Sequence, residues 1–207
     1  MKSERPGLIL IGAGGHAQAC IDVIEQAGMY HIAGIVGLPE EVGREQLGYK
    51  VIGTDRDLGT LAEQHRHALV TVGQIRAPEP RERLFGMALT AGFALPAVIS
   101  PRAWVSPHAT VGAGTIVMHG AVINAGAQVG RNCIINSNAL VEHGARVGDH
   151  CHVATGSILN GETRVGAGTF IGSGTVVKEG VTIGQRCLVG MGLSVRHDQP
   201  DGAQVRA

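Results

Sequence analysis

The feature that most constrains this chain is an aliphatic residue at every sixth position, without a break, from residue 105 to residue 195. The residues that lie two places before these aliphatic positions are mostly small. A period of six matches neither the 3.6-residue repeat of a helix nor the alternation of a simple strand. It is typical of a hexapeptide β-helix, in which short parallel strands wind into a coil with the aliphatic side chains stacked inside. The series is Val105, Val111, Val117, Ile123, Val129, Ile135, Val141, Val147, Val153, Leu159, Val165, Ile171, Val177, Ile183, Val189 and Val195.

Three hexapeptides complete one triangular turn of such a coil, so residues 18 apart are predicted to lie one above another, roughly 4.8 Å apart. The composition suits a narrow core, because only 3% of the residues are aromatic and 32 are glycine. We expect glycines at 18-residue intervals to supply the backbone freedom that the coil corners need. They are Gly112, Gly130, Gly148, Gly166 and Gly184.

The charge balance argues against two classes of partner. The chain has 17 Lys and Arg against 17 Asp and Glu, so it has no electrostatic reason to bind nucleic acid or an anionic membrane. Its apolar runs are far shorter than the ~20 residues that span a bilayer, and the opening Met-Lys-Ser-Glu-Arg-Pro is no signal peptide. We therefore expect a cytoplasmic protein that neither enters a membrane nor binds nucleic acid.

The four cysteines are predicted to be small, buried core residues. Cys133, Cys151 and Cys187 share one inward column of the coil with Thr169, and Cys20 falls in a predicted helix. Neither a CxxC pair nor a zinc spacing is present, so we expect no disulfide set and no metal site.

The first hundred residues have a different pattern. Apolar strands alternate with helical segments, which implies a parallel sheet. We therefore predict a Rossmann-like α/β domain over residues 1–100 and the β-helix over residues 101–207. Strands are predicted near Leu8–Ile11, Ile32–Val36, Val51–Ile52, Leu69–Val72 and Ala97–Ile99, and helices near Ala17–Ala27, Asp57–Gln64 and Glu79–Ala91.

A glycine-rich turn, Gly12–His16, joins the first strand to the first helix. The free N–H groups and the dipole of a helix start favour a phosphate, although a tight turn requires glycine in any case. NAD is not expected, because Ala17 replaces the third glycine of its fingerprint and Val36-Gly37-Leu38 provides no acid after the second strand. A nucleotide diphosphate needs only the turn. The stretch Thr71–Arg76 ends another strand at the same edge, where open α/β sheets bind ligands.

These features together resemble the bacterial sialic acid O-acetyltransferase NeuD family, and within it the PglD-type nucleotide-amino-sugar N-acetyltransferases. The turn Gly12–His16, a junction near Ser106-Pro107, the stretch Asn136–Gly144 with Val147-Gly148-Asp149, and then His152-Val153 carry the resemblance. It covers nearly the whole chain. It implies a left-handed hexapeptide coil, acetyl-CoA as co-substrate without a metal, a nucleotide-sugar substrate, and a homotrimer with active sites in clefts between neighbouring coils.

The resemblance places the catalytic histidine of the family at His143. A neutral imidazole can accept a proton from an amine or hydroxyl nucleophile at neutral pH. The family's acidic residue directly after this histidine is replaced by Gly144. Glu142, predicted here as the second catalytic residue, or Asp149 could orient the ring instead, or the base could work without a partner.

The other contacts of the family fall on residues in both parts of the chain. The nucleotide-sugar contacts match Gly14, Gly15, His16 and Gly73, and the acetyl-CoA contacts match His152, Ser173 and Met191. Two departures are that Val36-Gly37 stands where the family tends to carry acids, and that the usual Gly-x-Pro-Ala segment is absent after Val195.

Several activities are compatible with such a chain. We favour acetylation of an amino group on a nucleotide-linked sugar, but O-acetylation of a sugar hydroxyl needs the same base and donor. A metal hydratase of the γ-carbonic-anhydrase type would need three histidines around zinc, and His143, His150 and His152 lack that spacing. A non-catalytic nucleotide-sugar-binding protein is the remaining alternative. For an enzyme we expect direct transfer, since the cysteines are buried and no Ser-His-Asp or Cys-His pair stands out.

Overall fold

The computed structural model describes residues 5–206, which form an α/β part followed by a parallel β-helix. The elements of the α/β part are β1 (Gly7–Ile11), α1 (Gly15–Ala27), β2 (His31–Val36), β3 (Glu45–Gln46), β4 (Tyr49–Gly53), α2 (Leu58–Gln64), β5 (His67–Val70) and α3 (Glu79–Ala91). The sheet has the order β3-β4-β2-β1-β5; β3 and β4 pair antiparallel and the other pairings are parallel. The predicted α/β arrangement is confirmed.

Strand β1 lies inside the sheet, between β2 and β5, and is buried on both faces, as the unbroken apolar run Leu8–Ile11 predicts. Leu8 and Leu10 belong to a core that includes α1 and residues of the β-helix, whereas Ile9 and Ile11 belong to one that includes α2 and α3. The β-helix therefore covers one face of the α/β part and continues its core.

The β-helix consists of strands of two residues each. They are β6 (Val98–Ile99), β7 (Trp104–Val105), β8 (Thr110–Val111), β9 (Ile116–Val117), β10 (Val122–Ile123), β11 (Gln128–Val129), β12 (Ile134–Ile135), β13 (Leu140–Val141), β14 (Arg146–Val147), β15 (His152–Val153), β16 (Ile158–Leu159), β17 (Arg164–Val165), β18 (Phe170–Ile171), β19 (Val176–Val177), β20 (Thr182–Ile183), β21 (Leu188–Val189), β22 (Ser194–Val195) and β23 (Gln204–Val205).

These strands form three parallel sheets whose outer surfaces differ. The domain-facing sheet (β6, β9, β12, β15, β18, β21, β23) buries Ile116 and Ile134 against the α/β part. The apolar sheet (β7, β10, β13, β16, β19, β22) presents partly exposed aliphatic side chains such as Leu140 and Ile158. The polar sheet (β8, β11, β14, β17, β20) presents exposed polar side chains such as Arg146.

The stacking of residues 18 apart is confirmed. Val141, for example, pairs with Ile123 on one side and Leu159 on the other. Every member of the aliphatic series from Val117 onward is at most 4% exposed, and the two before it are partly buried at the end of the coil. Because each hexapeptide contributes one inward aliphatic residue, the core is a continuous stack along the coil axis.

The strand predicted near Ala97–Ile99 does not join the α/β sheet. It forms β6 and pairs with β9 of the coil, and the chain touches β5 only through one bridge between His67 and Ala94. A short apolar run indicates a strand but not its partner, and here the partner is the next coil.

The glycines at 18-residue intervals serve close packing between coils and not the corner conformation that we predicted. A Cβ on Gly148 would lie 2.7 Å from the backbone nitrogen of Ala167 in the next coil. The left-handed corner conformation occurs in other columns, for example at Gly126 and Gly144. None of the predicted five has positive φ: Gly112, Gly130, Gly148, Gly166 and Gly184.

All four cysteines are buried and unpaired, as predicted. Within residues 5–206, no helix is both long and apolar enough to cross a membrane.

Candidate active site

The turn before α1 contains two kinds of glycine. Gly12 is required by the fold, because its φ is 122° and a Cβ there would lie 2.5 Å from a side-chain methyl group of Val72. Gly14 and Gly15 have no atom within 4 Å of the position that a Cβ would take. Packing within the chain therefore does not demand glycine at these two positions, and they leave the start of α1 open to a close ligand.

A cavity of about 310 Å³ opens beside this turn at the carboxyl edge of the sheet. Val36, Gly37 and Leu38 line it with apolar and backbone surface. Across it, both terminal nitrogens of Arg83 donate to one carboxylate oxygen of Asp55 at 3.0 Å. Sequence reasoning missed this ion pair, because Asp55 and Arg83 are 28 residues apart and belong to no motif.

The structure brings together three of the predicted contact residues, His16, Gly73 and His152. The His16 and His152 rings are 6.4 Å apart, and a Cβ on Gly73 would lie 3.4 Å from the Cβ of His16. Burial lowers the pKa of His16 to about 3, so its ring is neutral. Its Nε2 atom is buried and has no hydrogen-bond partner among residues 5–206.

Both ring nitrogens of His152 are already bonded within the chain. Nδ1 lies 2.5 Å from the carbonyl oxygen of Gln74, which can only accept, so Nδ1 carries the proton. Nε2 then accepts a hydrogen bond from the amide of Asn136 at 3.1 Å. Burial lowers the pKa of His152 to about 4. This histidine is a fixed neutral element of the junction and is poorly suited to act as a base.

Arg81 is a fully buried cation that sequence reasoning missed. It donates to the carbonyl oxygens of Val70 and Val72 at the end of β5 and to the backbone and side-chain oxygens of Asn132 in the coil. Burial lowers its pKa to about 10, which leaves it charged at neutral pH. Arg81 thus fixes the carboxyl edge of the sheet to the β-helix.

The predicted acetyl-CoA contacts Ser173 and Met191 line one cavity of about 860 Å³ together with Ile75, Arg76 and Phe170. The third predicted contact, His152, packs edge-on against Phe170 with the ring centroids 5.1 Å apart. His16, Gly73 and His152 therefore adjoin the cavity of Ser173 and Met191 at the junction of the two parts.

His143 and Glu142 lie elsewhere, at the corner after β13, where they line an open cavity of about 570 Å³. The carboxylate of Glu142 accepts the backbone N–H of His143 at 3.0 Å, and this bond and one to Asn124 lower its pKa. Glu142 therefore holds the main chain of His143. The His143 ring lies directly against Gly161 of the next coil. A Cβ on Gly161 would lie 2.8 Å from Nε2 of that ring. Asp149 is bound to Arg131 at 2.8 Å and is not available to the ring.

The apolar sheet separates this corner from the predicted acetyl-CoA contacts Ser173 and Met191. Ser137 stacks two coils away from Ser173, because the two residues are 36 positions apart. His143 comes six residues after Ser137, at the next corner of the same coil, and strand β13 of the apolar sheet lies between them. At about 3.3 Å per residue the two corners are as much as ~20 Å apart. One chain alone therefore does not bring His143 to the cavity lined by Ser173 and Met191.

A Ser-His-Asp arrangement does occur, contrary to the sequence prediction. Ser100 Oγ lies 2.6 Å from His119 Nδ1, and His119 Nε2 lies 2.8 Å from a carboxylate oxygen of Asp22 in α1. Ser100 is 1% exposed and its oxygen also accepts the N–H of Arg102. A substrate cannot reach this hydroxyl, so the set links α1 to the coil and offers no nucleophile.

The histidines of the β-helix are not arranged for metal binding. His150 Nδ1 bonds the side chain of Asn132 at 2.9 Å, and both nitrogens of His152 are occupied. In the part of the chain that the structure describes, no group of three or more His, Cys, Asp or Glu side chains could hold a metal ion.

Both parts of the chain match known families. Residues 7–87 match the PglD N-terminal domain. Residues 108–143 and 126–161 match the bacterial transferase hexapeptide of six repeats, and residues 162–196 match the hexapeptide repeat of succinyl-transferase. No curated protein sequence matches the chain significantly.

Several solved structures are similar over nearly the full length. A mutant of perosamine N-acetyltransferase from Caulobacter crescentus, solved with CoA and GDP-perosamine, is 38% identical with a TM-score of 0.88, covering 94% of this chain and 90% of that chain. The acetyltransferase domain of PglB from Neisseria gonorrhoeae FA1090, solved with acetyl coenzyme A, is 34% identical with a TM-score of 0.88, covering 97% and 95%. WeeI from Acinetobacter baumannii AYE, 21% identical with a TM-score of 0.83 over 95% and 94%, shares the fold. The chain therefore belongs to the PglD-type family of hexapeptide-repeat acetyltransferases, in which a PglD N-terminal domain precedes a left-handed β-helix.

Proposed function

We propose that this protein transfers the acetyl group of acetyl-CoA to the amino group of a nucleotide-linked amino sugar. The observation that carries the proposal is the 38% identity, over 94% of the chain, to an enzyme solved with CoA and a GDP-linked amino sugar. The open turn at Gly14 and Gly15 suits the diphosphate, and the neighbouring cavity at Ser173 and Met191 suits the acetyl donor.

We assign the general base to His143. It is an exposed imidazole in an open cavity, whereas His152 is buried, neutral and fully hydrogen-bonded. The amine nitrogen attacks the thioester carbonyl carbon, and the C–N bond forms as His143 accepts the proton that the nitrogen loses. A backbone N–H at the coil corner is the expected donor to the oxyanion. The C–S bond then breaks, and the imidazolium returns its proton to the leaving thiolate.

The site requires a second copy of the chain, and we propose a homotrimer. The apolar sheet presents a column of aliphatic and aromatic residues to solvent, in contrast to the domain-facing sheet, which the α/β part covers. This column runs between the His143 corner and the Ser173 corner, so a copy packed on it would bring His143 of one chain to the donor cavity of another. Its members are Trp104, Val122, Leu140, Ile158 and Val176.

Subunit complementation tests the shared site. His143→Ala removes the base, and Ser173→Trp fills the donor cavity while His143 stays intact. Each variant alone should release little CoA thiol from acetyl-CoA and an amino-sugar nucleotide. In co-expressed mixed trimers, roughly a quarter of the clefts combine an intact His143 from one chain with an intact Ser173 from another. Thiol release should then recover to roughly a quarter of the wild-type rate. Mixed trimers without activity would place both halves in one chain and refute the shared cleft.

The substrate class is tested with the wild-type protein. GDP- and UDP-linked amino sugars and their hydroxyl counterparts are compared by CoA thiol release and by product mass. Turnover of the amino sugars supports the proposal, whereas turnover of the hydroxyl sugars alone makes the protein an O-acetyltransferase. A nucleotide sugar that raises the Tm without any thiol release would make it a binding protein.

A further inference from the structure

One corner column of the β-helix contains an unusual residue beside His143. The column consists of positions 126, 144, 162 and 180, all in the left-handed region, with φ of 75°, 67°, 60° and 70°. Glycine occupies every one of these positions except 162, which is glutamate. A side chain with a Cβ is disfavoured in this conformation, and glutamate is not among the residues that tolerate it best. Backbone strain of this kind clusters at functional sites in proteins.

The other left-handed residues of the coil differ from Glu162 in one respect. Asn132, Asn138 and His150 are of types that adopt this conformation more readily, and Arg186 forms ion pairs with Glu79 and Glu82. The carboxylate of Glu162 has no hydrogen bond or ion pair within residues 5–206, and the side chain is exposed. No contact in the described chain therefore accounts for this glutamate.

The position of Glu162 connects it to His143. Its backbone N–H donates to the carbonyl oxygen of His143 at 3.0 Å, and both side chains line the same open cavity. The His143 ring leans over Gly161, the residue directly before Glu162. A Cβ on Gly144 would lie 3.4 Å from Cγ of Glu162. The side chain of Glu162 therefore lies within contact distance of position 144, directly after His143.

We propose that Glu162 is the positioning residue for His143, and that its carboxylate stabilises the imidazolium formed as the base takes up the substrate proton. The inference rests on the proposed function of His143 as the general base. The other carboxylates of the cavity are less suited, because Glu142 is bound to the main chain of His143 and Glu179 lies one coil beyond Glu162. Position 162 stacks on the corner that follows His143 and lines the same cavity as the ring, which gives the strained residue a function.

The first test is Glu162→Gln, which keeps the shape and removes the charge. We expect kcat to fall about two- to fivefold, the effect of losing an exposed ion pair, with KM for acetyl-CoA unchanged. The acidic limb of the pH–rate profile should move to lower pH, because the protonated ring loses its stabilising charge. The titration midpoint of the His143 ring, followed by NMR and assigned with His143→Ala, should move in the same direction. Glu179→Gln, which removes the same charge from the same cavity, is the matched control and should leave the midpoint in place.

The second test moves the carboxylate by one coil. Glu162→Gly should raise the Tm by about 2–4 °C, because the corner loses its strained side chain, while kcat falls as in Glu162→Gln. The double variant Gly144→Glu/Glu162→Gly places the carboxylate directly after His143 and should restore kcat. A purely structural role of Glu162 predicts no such rescue.

The NMR titration separates this inference from the proposed function, since it needs no turnover. An unchanged midpoint in Glu162→Gln, or an equal change in Glu179→Gln, overturns the role of Glu162 whatever the activity. A midpoint that moves in Glu162→Gln alone, together with full activity in His143→Ala, supports the contact and refutes His143 as the base.

Discussion

At the scale of single residues, burial and hydrogen bonding separate histidines that look alike in the sequence. His143 and His152 both follow or begin short strands of the coil, yet only His143 is open to a substrate. The two nitrogens of His152 are committed to Gln74 and Asn136, and burial holds its pKa at about 4. A general base must be reachable and must have a free lone pair, which favours His143.

We predict that His143→Ala lowers kcat by roughly 10²-fold or more, because losing a general base typically costs ~10²–10⁴-fold. The Tm should change little, since the side chain lies outside the packed core. Steady-state thiol release and a thermal melt measure the two quantities. His152→Ala serves as the comparison and should lower the Tm. Near-normal turnover in His143→Ala, with His152→Ala inactive, would transfer the role of base to His152.

At the scale of elements, the β-helix depends on close approach between coils. The coil glycines at 18-residue intervals leave no room for a Cβ, as the 2.7 Å between such an atom on Gly148 and the backbone of Ala167 indicates. Helix α3, in contrast, carries Gly86 in its interior with no atom within 4 Å of the Cβ position. Replacing glycine by alanine should therefore destabilise the protein in the β-helix and stabilise it in α3.

Gly148→Ala should lower the free energy of unfolding by about 1–3 kcal/mol, because the added methyl group forces neighbouring coils apart. Gly86→Ala should raise it by roughly 0.5–1 kcal/mol, because alanine loses less backbone entropy in a helix. Urea unfolding of the two variants beside the wild type provides the comparison. A neutral Gly148→Ala would mean that the coils can separate at little energetic cost.

At the scale of the whole molecule, the junction between the α/β part and the β-helix is built from buried polar groups. Arg81, His16 and His152 meet there, and Arg81 is bonded to carbonyl oxygens on both sides. Burial of the two histidines lowers their pKa values to about 3 and about 4, so both are neutral in the folded protein. The junction should therefore be sensitive to acid.

An unfolded histidine titrates near ~6.5, so below that pH the unfolded chain binds protons that the folded chain excludes. The free energy of unfolding should accordingly fall as the pH drops from about 6.5 toward 4 for His152, and further toward 3 for His16. The lowered pKa of His152 alone should reduce the free energy of unfolding at pH 4 by a few kcal/mol, since each pKa unit corresponds to about 1.4 kcal/mol. Urea unfolding at pH 7 and pH 4.5 measures the loss, which should be smaller in His152→Gln. An equal loss in that variant would assign the acid sensitivity to other groups.

The repeat is readable from the order of the residues along the chain. Because a coil with one inward aliphatic residue per hexapeptide has a single way to stack, the pattern from Val105 to Val195 predicted the strands, their register and the buried cysteines. Local turn chemistry likewise identified the start of α1. Only the tertiary structure shows which surfaces meet: Arg81 donates to carbonyl oxygens in both parts, and Asp22 of α1 bonds His119 of the coil. These contacts join residues far apart in sequence and carry no local period, so no pattern along the chain could have indicated them.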